Sequence, residues 1–184
     1  MNKTEIIIID LETTGLTTKN NHIVEIGVVK LNLKTGVINV IYNHVISLPK
    51  PEDIIEYENS WIFQNTGLTP VEVYNGVPIE HAIEKIQPYL NNYFVTAFNN
   101  KFDFKFLEAD GFIIPNKAAD IMLSCMNTVN VRFPNGRIKY PNAQAAHDYF
   151  FPNVGYSEAH RALDDAWHEA MIVKALYDLK LFKI

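Results

Sequence analysis

Four consecutive isoleucines, Ile6–Ile9, are followed at once by two acidic residues, Asp10 and Glu12. A short run of β-branched residues favours a buried strand. Side chains two apart on a strand share a face, so Asp10 and Glu12 present their carboxylates together while Leu11 turns the other way into the core. The chain is therefore expected to build a sheet with an acidic site at the end of its first strand.

The following residues predict two further strands. His22–Leu33 is rich in β-branched residues, Val37–Ser47 alternates between polar and apolar, and Lys34-Thr35-Gly36 is a tight connection between them. Three consecutive strands predict an antiparallel meander.

The remainder of the chain predicts helices around one more buried strand, Tyr93–Phe98. Strands first and helices later, with a strand–helix alternation in the middle, predict an α/β fold in which a mixed sheet is flanked by helices. The predicted helices are Pro78–Asn91, Lys101–Ala109, Ala118–Val129, Ala143–Phe150 and Arg161–Leu179.

The composition predicts one domain over residues 1–184, because no shift in composition and no repeat divides the chain. The single cysteine, Cys125, excludes an intramolecular disulfide and any multi-cysteine metal site, and is expected to be a small buried residue. No apolar run reaches the length of a membrane span or of a signal-peptide core. We expect a soluble cytoplasmic protein without a membrane partner.

The charge balance by itself argues against nucleic acid as a partner. Sixteen Lys and Arg residues against twenty-one Asp and Glu residues leave a net charge of −5, so the chain has no overall basic footprint. Any contact with the end of a nucleic-acid strand is expected to be short, so that processivity is low and activity depends weakly on salt. The basic residues to be considered are Lys101, Lys105, Arg132, Arg137, Lys139 and Arg161.

Asp103 is a third acidic candidate, at the point where a strand is followed by a helix. Its neighbours Phe102, Phe104 and Phe106 are aromatic, so an acid is unusual there unless it points into a cleft. Capping of the helix explains Asp103 equally well. The alternative for Asp10 is likewise to cap the following turn.

The segment from His160 to Asp165 holds a fourth acidic candidate. Residues five apart on a helix differ by about 140° around its axis, so His160 and Asp165 reach one site only if His160 lies in the loop or first turn before the helix. Residues 152–157 supply such a loop. Asp164 faces elsewhere and is expected to be solvated.

Several carboxylates that converge repel one another, and a fold tolerates this mainly when a cation lies between them. Ligands that are all oxygen suit Mg²⁺ or Mn²⁺. The acidic positions together therefore predict a metal site.

Taken in order, the segments DLETTG, NNKFDFKFL and HRALDDA resemble the three motifs of the DEDDh branch of the DnaQ-like 3′–5′ exonucleases, in the ribonuclease H-like superfamily. The resemblance extends from Ile6 to about Leu176, and the spacing H-x-x-x-x-D marks the histidine branch. Residues 136–150 look most like the exonuclease X-like members. The fold implied is a mixed five-stranded sheet, with three antiparallel strands followed by parallel strands, flanked by helices.

The resemblance implies that Asp10, Glu12, Asp103 and Asp165 hold two divalent cations, Mg²⁺ or Mn²⁺. It implies that His160 takes the proton from the attacking water. The reaction implied is hydrolysis of phosphodiester bonds at the 3′ end of single-stranded or frayed DNA, releasing nucleoside 5′-monophosphates, with RNA as the alternative substrate. Proofreading, repair and RNA trimming use the same site; no polymerase or repair partner is evident, and a monomer and a homodimer both remain open.

The resemblance also implies contacts to the terminal nucleotide. Many relatives have His where this chain has Thr66 and Phe98, so the phosphate and sugar contacts are left open. For Phe98 and Phe102, packing in the core is as good an explanation as stacking on a base. The candidate substrate-binding residues are Thr13, Thr14, Gly15, Leu16, Leu68, Phe98, Asn99 and Phe102.

Two other classes of protein fit the sequence in part. A non-catalytic binding module on the same fold is expected to have lost at least one acid or the histidine, and all five residues are present. A metal phosphatase or another two-metal nuclease would share the acids but not the H-x-x-x-x-D spacing.

Overall fold

The computed structural model describes residues 4–157 and 159–184. In these residues one sheet has the strand order β3-β2-β1-β4. The first three strands pair antiparallel, and β4 pairs parallel with β1. The predicted meander and mixed α/β class are therefore confirmed. The strands are β1 Glu5–Thr13, β2 Ile23–Asn32, β3 Ile38–Val45 and β4 Phe94–Thr96.

Helices account for about half of the remaining described chain. The bounds agree with the predicted helices to within a few residues, and the largest difference is at α5, which begins at Ile121 because Asp120 caps it: the Leu123 N–H donates to Asp120 Oδ1 at 2.8 Å. A 3₁₀ helix, Pro51–Tyr57, comes first, followed by α1 Trp61–Asn65, α2 Pro70–Tyr74, α3 Ile79–Asn92, α4 Asn100–Ala109, α5 Ile121–Val129, α6 Ala143–Phe150 and α7 Ala162–Asp178.

The expectation of a fifth strand was wrong for the described part of the chain, whose sheet has four. The segment after α4 runs beside β4, where the Val95 N–H donates to the Asn116 carbonyl at 2.9 Å and the Ala118 N–H donates to the Val95 carbonyl at 2.8 Å. These bonds form one isolated parallel bridge. The cap of α5 follows directly at Asp120, so the segment is too short for a ladder.

The isoleucine run of β1 is buried on both faces of the sheet. Ile7, Ile9 and Leu11 point toward a cluster that includes α3 and α4, whereas Ile6 and Ile8 point toward a cluster that includes α5, α6 and α7. All four isoleucines are fully buried. Side chains at even positions of β1 therefore face α7.

Cys125 lies fully buried in the cluster on the α7 side, as predicted. Burial raises the pKa of its thiol to about 12. No helix in the described ranges is long and apolar enough to cross a membrane.

Candidate active site

Strand β1 carries Asp10 and Glu12 toward α7. The strand continues to Thr13, and its pairing with β2 sets Asp10 opposite Gly27 and Glu12 opposite Glu25. Both acids lie at even positions of β1, as do the isoleucines that face α7, so both carboxylates lie on that side of the sheet.

Gly27 allows α7 to approach the acids of β1. A Cβ at this position would lie 2.2 Å from the backbone carbon and oxygen of Ala162, in the first turn of α7. Backbone atoms cannot move aside as a flexible side chain can, so any other residue would displace the helix. The missing side chain of Gly27 therefore sets how close the first turn of α7 comes to Asp10.

A buried ion pair holds the beginning of α7. Glu25 is 2% exposed. The Arg161 Nη2 donates to Glu25 Oε1 at 2.8 Å, and its Nε donates to both oxygens at 3.1 Å. The backbone N–H of Ala162 donates to Glu25 Oε2 at 3.1 Å, so the carboxylate also satisfies a free amide at the helix N-terminus. These bonds position the loop that ends at Arg161.

His160 lies in this loop, directly before α7. Its φ is 49°, in the left-handed region that costs a non-glycine residue energy. Its ring meets the Trp61 ring edge-on, with centroids 5.0 Å apart. One ligand atom from each of Glu12, His160 and Asp165 lies within 4.8 Å of the other two. The structure therefore brings the first and third motifs together around the side chain of His160.

Asp103 comes to the same region from α4. It lies in the first turn, with Asn99 as the N-cap residue, so it does not occupy the capping position. It is buried, and burial raises the pKa of its carboxyl to about 8, although the backbone amides of Asp103 and Asn99 oppose this shift. The Asp120 charge raises the pKa further. Asp103 is thus mainly protonated at neutral pH in the absence of a cation.

Asp10 and Asp103 line one cleft of about 390 Å³. Burial raises the pKa of Asp10 well above its usual range, and the charges of Glu169, Glu12, Asp103 and Asp165 raise it further, in that order. These acids therefore resist ionising together. Such an oxygen-rich donor set, with one imidazole beside it, fits a divalent cation of the Mg²⁺ or Mn²⁺ kind.

Glu169 is a site residue that the sequence reasoning missed. It is 2% exposed and lines the cleft together with Asp10 and Asp103. Its charge raises the pKa of Asp10 more than the charge of any other acid does. The one available signal was its position four residues after Asp165, which puts both on one face of α7.

Tyr156 also contributes to the site without any signal in the sequence. Its hydroxyl donates to Asp165 Oδ1 at 2.7 Å. Its ring stacks on His168 with centroids 3.8 Å apart and lies 4.5 Å from the buried ring of His147. Tyr156 therefore orients the Asp165 carboxylate.

Three of the predicted substrate-binding residues line the cleft: Phe98, Asn99 and Phe102. Both phenylalanines also pack partly against the hydrophobic clusters, so the two explanations of these rings are compatible. Each ring combines a packed side with a side that faces the cleft.

The last residue of β1 and the turn that follows it, residues 13–16, contain four more of these residues. The Thr13 hydroxyl donates to the Gly15 carbonyl at 2.8 Å, and the His22 N–H donates to the Thr14 hydroxyl at 3.0 Å. Leu16 is 85% exposed. The turn is therefore held by its own hydrogen bonds and presents one apolar side chain to solvent.

Leu68 has a position that differs from the expectation. Its side chain is 1% exposed, in a cluster with Val24, Leu48 and Ile62. A base cannot stack on a side chain that is covered by its neighbours. The structure gives Leu68 a packing position instead of a surface for the terminal base.

Comparison with known sequences points to one kind of enzyme. The family model described as exonuclease matches residues 7–173. A DNA polymerase III of the PolC type from Clostridium perfringens is 33% identical over 174 residues, which are 92% of this chain and 11% of that protein. The PolC-type polymerase of Caldanaerobacter subterraneus subsp. tengcongensis is 28% identical over 182 residues, 96% of this chain and 12% of that protein. The chain therefore spans about a tenth of the length of these relatives.

Solved structures share the fold. The nuclease domain of 3′hExo, a DEDDh family member bound to rAMP, has a TM-score of 0.67 at 21% identity, over 96% of this chain and 92% of that one. Escherichia coli Exonuclease I in complex with a dA16 oligonucleotide has a TM-score of 0.69 at 13% identity, over 97% of this chain and 42% of that one. The arrangement of sheet and helices described above is common to these structures.

Proposed function

This chain belongs to the family of DnaQ-like 3′–5′ exonucleases, in its DEDDh branch, and from that premise we propose that it removes nucleoside 5′-monophosphates from the 3′ end of single-stranded or frayed DNA. The observation that carries the proposal is the convergence of Glu12, His160 and Asp165 within 4.8 Å. The half-buried Asp10 and the buried Asp103 line the adjoining cleft.

The proposed cation ligands are Asp10, Glu12, Asp103 and Asp165, which would hold two divalent cations, Mg²⁺ or Mn²⁺. The support is electrostatic, since burial and neighbouring acids disfavour the ionised form of Asp10 unless positive charge is added. When bound, such cations lower the pKa of a water and stabilise the negative charge on the leaving 3′ oxygen.

His160 is the proposed general base, which accepts the proton of the attacking water on a ring nitrogen. Histidine suits this role because its charge changes near neutral pH. The ion pair with Glu25 holds Arg161, the residue directly after His160, and the Trp61 ring contacts the imidazole. These contacts limit the motion of the ring relative to Glu12 and Asp165.

The substrate contacts are proposed at two places. Phe98, Asn99 and Phe102 in the cleft would hold the terminal base and sugar, and the turn at residues 13–16 would lie against the terminal nucleotide. Leu16 supports this because a side chain that is 85% exposed is free to contact a ligand.

RNA is the second candidate substrate. Exonuclease I was solved with a dA16 oligonucleotide, whereas the 3′hExo nuclease domain was solved with rAMP, so the shared fold serves both sugars. The likeness to PolC-type polymerases favours DNA, with proofreading or repair as the role. We propose that residues 1–184 act as one exonuclease domain; its cytoplasmic location and its state as a monomer or homodimer stay predictions.

The test uses single-stranded DNA and RNA of one sequence, each labelled at the 5′ end, with Mg²⁺ or Mn²⁺. A ladder that shortens from the 3′ end, with release of 5′-monophosphates, is the expected result, and its rate on each strand decides between DNA and RNA. EDTA and the Asp10→Ala variant are expected to abolish it. Activity that persists in EDTA would contradict the role of the cations, and no cleavage of either strand would favour a non-catalytic binding module.

A further inference from the structure

A short hairpin between α5 and α6 extends from the body of the protein. It is closed by one antiparallel bridge between Arg132 and Ile138. The Phe133 N–H donates to the Arg137 carbonyl at 2.9 Å, and the Gly136 N–H donates to the Phe133 carbonyl at 2.9 Å. Gly136 has a φ of 81°, which the turn requires and which a glycine adopts without strain. The hairpin is therefore held by its own backbone bonds, and residues 132–140 are all exposed.

The charge of this hairpin is opposite to that of the chain. Residues 131–142 contain three basic residues, Arg132, Arg137 and Lys139, and no acid, although the net charge of the chain is −5. Within the described ranges none of the three forms an ion pair. The Arg132 guanidinium donates to the Gly136 carbonyl at 2.7 Å, which orients the group and leaves its other donors available.

Apolar side chains alternate with these cations. Phe133, Ile138 and Tyr140 are 47%, 40% and 59% exposed. The Lys139 ammonium lies 5.9 Å from the centre of the Phe133 ring, so a cation and an aromatic face are presented side by side. Exposed aromatic rings interleaved with cations suit a single-stranded nucleic acid, whose phosphates pair with the cations and whose bases stack on the rings.

The hairpin is continuous with the candidate active site. Tyr140 and the next three residues, 141–143, line the cleft that also contains Asp10, Asp103 and Glu169. A strand whose 3′ end lies at these acids therefore passes directly beside the hairpin as it leaves the cleft.

We propose that residues 131–140 bind the nucleotides on the 5′ side of the terminal one in a single-stranded polynucleotide. The proposal rests on the proposed function for the position of the 3′ end. Arg132, Arg137 and Lys139 pair with phosphates, and Phe133 and Tyr140 stack on bases. Because neither kind of contact reads the sugar, DNA and RNA bind this surface alike. An acidic protein segment is the competing occupant and is an outcome of the test.

The first measurement is binding without catalysis. In EDTA, the affinities of fluorescent dT20 and rU20 are measured by anisotropy for the wild type and for the triple variant Arg132→Gln, Arg137→Gln, Lys139→Gln. The variant is expected to bind both strands about tenfold or more weakly at low salt, and its plot of log Kd against log salt is expected to be flatter by about two units, at about 0.7 per lost phosphate contact.

The controls separate charge at this place from charge in general. A second triple variant replaces three exposed lysines that do not line the cleft, Lys34, Lys85 and Lys183, by Gln, and it is expected to bind as the wild type does. Restoring charge with Arg132→Lys and Arg137→Lys is expected to restore the salt dependence. The Phe133→Ala variant, which keeps every charge, is expected to weaken binding about fivefold or more.

The second measurement compares hydrolysis of dT20 with hydrolysis of a p-nitrophenyl ester of thymidine 5′-monophosphate, which has no upstream nucleotides. The ratio of kcat/KM for dT20 to kcat/KM for the ester is expected to fall about tenfold or more in the hairpin variant and to stay unchanged in the lysine control. An unchanged ratio together with unchanged affinity overturns the proposal, as does selective binding of an acidic peptide over dT20. A wild type that binds dT20 through the hairpin and hydrolyses neither substrate supports the hairpin site and refutes the proposed function.

Discussion

The acid on β2 and the acids of the neighbouring candidate active site have opposite electrostatic surroundings in this molecule. Glu25 on β2 is surrounded by donors, with the Arg161 guanidinium and the Ala162 amide on its oxygens. Asp10 on β1 lies among four other acids, Asp103 on α4 lies near the charge of Asp120, and burial raises the pKa of both. The first arrangement compensates a buried charge with donors, and the second leaves carboxylates uncompensated around the proposed cation site. Variants at Glu25 should therefore mainly lower stability, whereas variants at the candidate active site should mainly lower activity.

The largest effect is expected at Asp103. Asp103→Asn removes a proposed cation ligand with almost no change of shape, so the rate of 3′-end cleavage should fall by about three orders of magnitude or more. Cleavage of labelled single-stranded DNA with Mn²⁺ measures this, with Glu56→Gln, an exposed acid of the 3₁₀ helix, as the matched control. Near-normal activity of Asp103→Asn would show that Asp103 is not part of the active site.

His160→Ala should have the next largest effect. Loss of the proposed general base is expected to cost about two orders of magnitude or more in kcat, while binding of Mn²⁺ is largely kept. Single-turnover cleavage and titration of Mn²⁺ by electron paramagnetic resonance separate the two quantities. If the variant loses Mn²⁺ affinity and rate in parallel, His160 acts as a ligand instead of a base.

Glu169→Gln tests whether the acidic set extends along α7. This buried carboxylate lies beside Asp10 in the cleft, so its neutral analogue is expected to weaken Mn²⁺ binding by about tenfold and to leave the fold intact. Isothermal titration with Mn²⁺ gives the affinity. Glu80→Gln, at an exposed position on α3, is the control and should bind Mn²⁺ as the wild type does.

Glu25→Gln tests the other half of the comparison. The change breaks a buried ion pair and weakens the contact that holds the first turn of α7. Because Arg161 keeps 36% of its side chain exposed, the expected loss in the free energy of unfolding is moderate, about 1–3 kcal/mol. Urea denaturation in EDTA measures it. A variant as stable as the wild type would show that the ion pair positions the loop before α7 without adding to the free energy of unfolding.

The smallest effect is a dependence of stability on pH in the absence of cations. The pKa of Asp103 is about 8 in the folded protein and near 4 in an unfolded chain, so between these values the folded state holds a proton that the unfolded state has released. The free energy of unfolding therefore falls as the pH rises from 6.5 to 8. Above pH 6.5 His147, whose pKa is lowered by burial, is already neutral and adds little.

The measurement is the melting temperature in EDTA at both pH values. A drop of a few degrees is expected for the wild type and for Glu56→Gln, and a smaller drop for Asp103→Asn. A wild-type melting temperature that rises with pH would contradict the shifted pKa of this carboxyl.

Local patterns were sufficient to predict the element types. The isoleucine run, the alternation of β3 and the apolar stripe of α7 depend on spacings within each segment, and the structure has a strand or helix at each. The wrong expectation was the fifth strand, which came from the family resemblance and not from a pattern in this chain, where the segment beside β4 forms one bridge. The burial of Leu68 was equally inaccessible to local patterns, since an apolar residue in a loop gives no sign of how deeply it is buried.

By itself, the sequence determined the order and type of the elements and placed five residues, Asp10, Glu12, Asp103, His160 and Asp165, at the ends of strands and the beginnings of helices. The tertiary structure decided which acid meets a guanidinium and which lies among other acids. Glu25 meets Arg161 across 136 positions of the chain. Glu169 and Tyr156 enter the site in the same way, because α7 lies directly on β2 at Gly27 and so brings distant segments into contact. Electrostatic energy depends on those distances, and no local pattern of residues contains them.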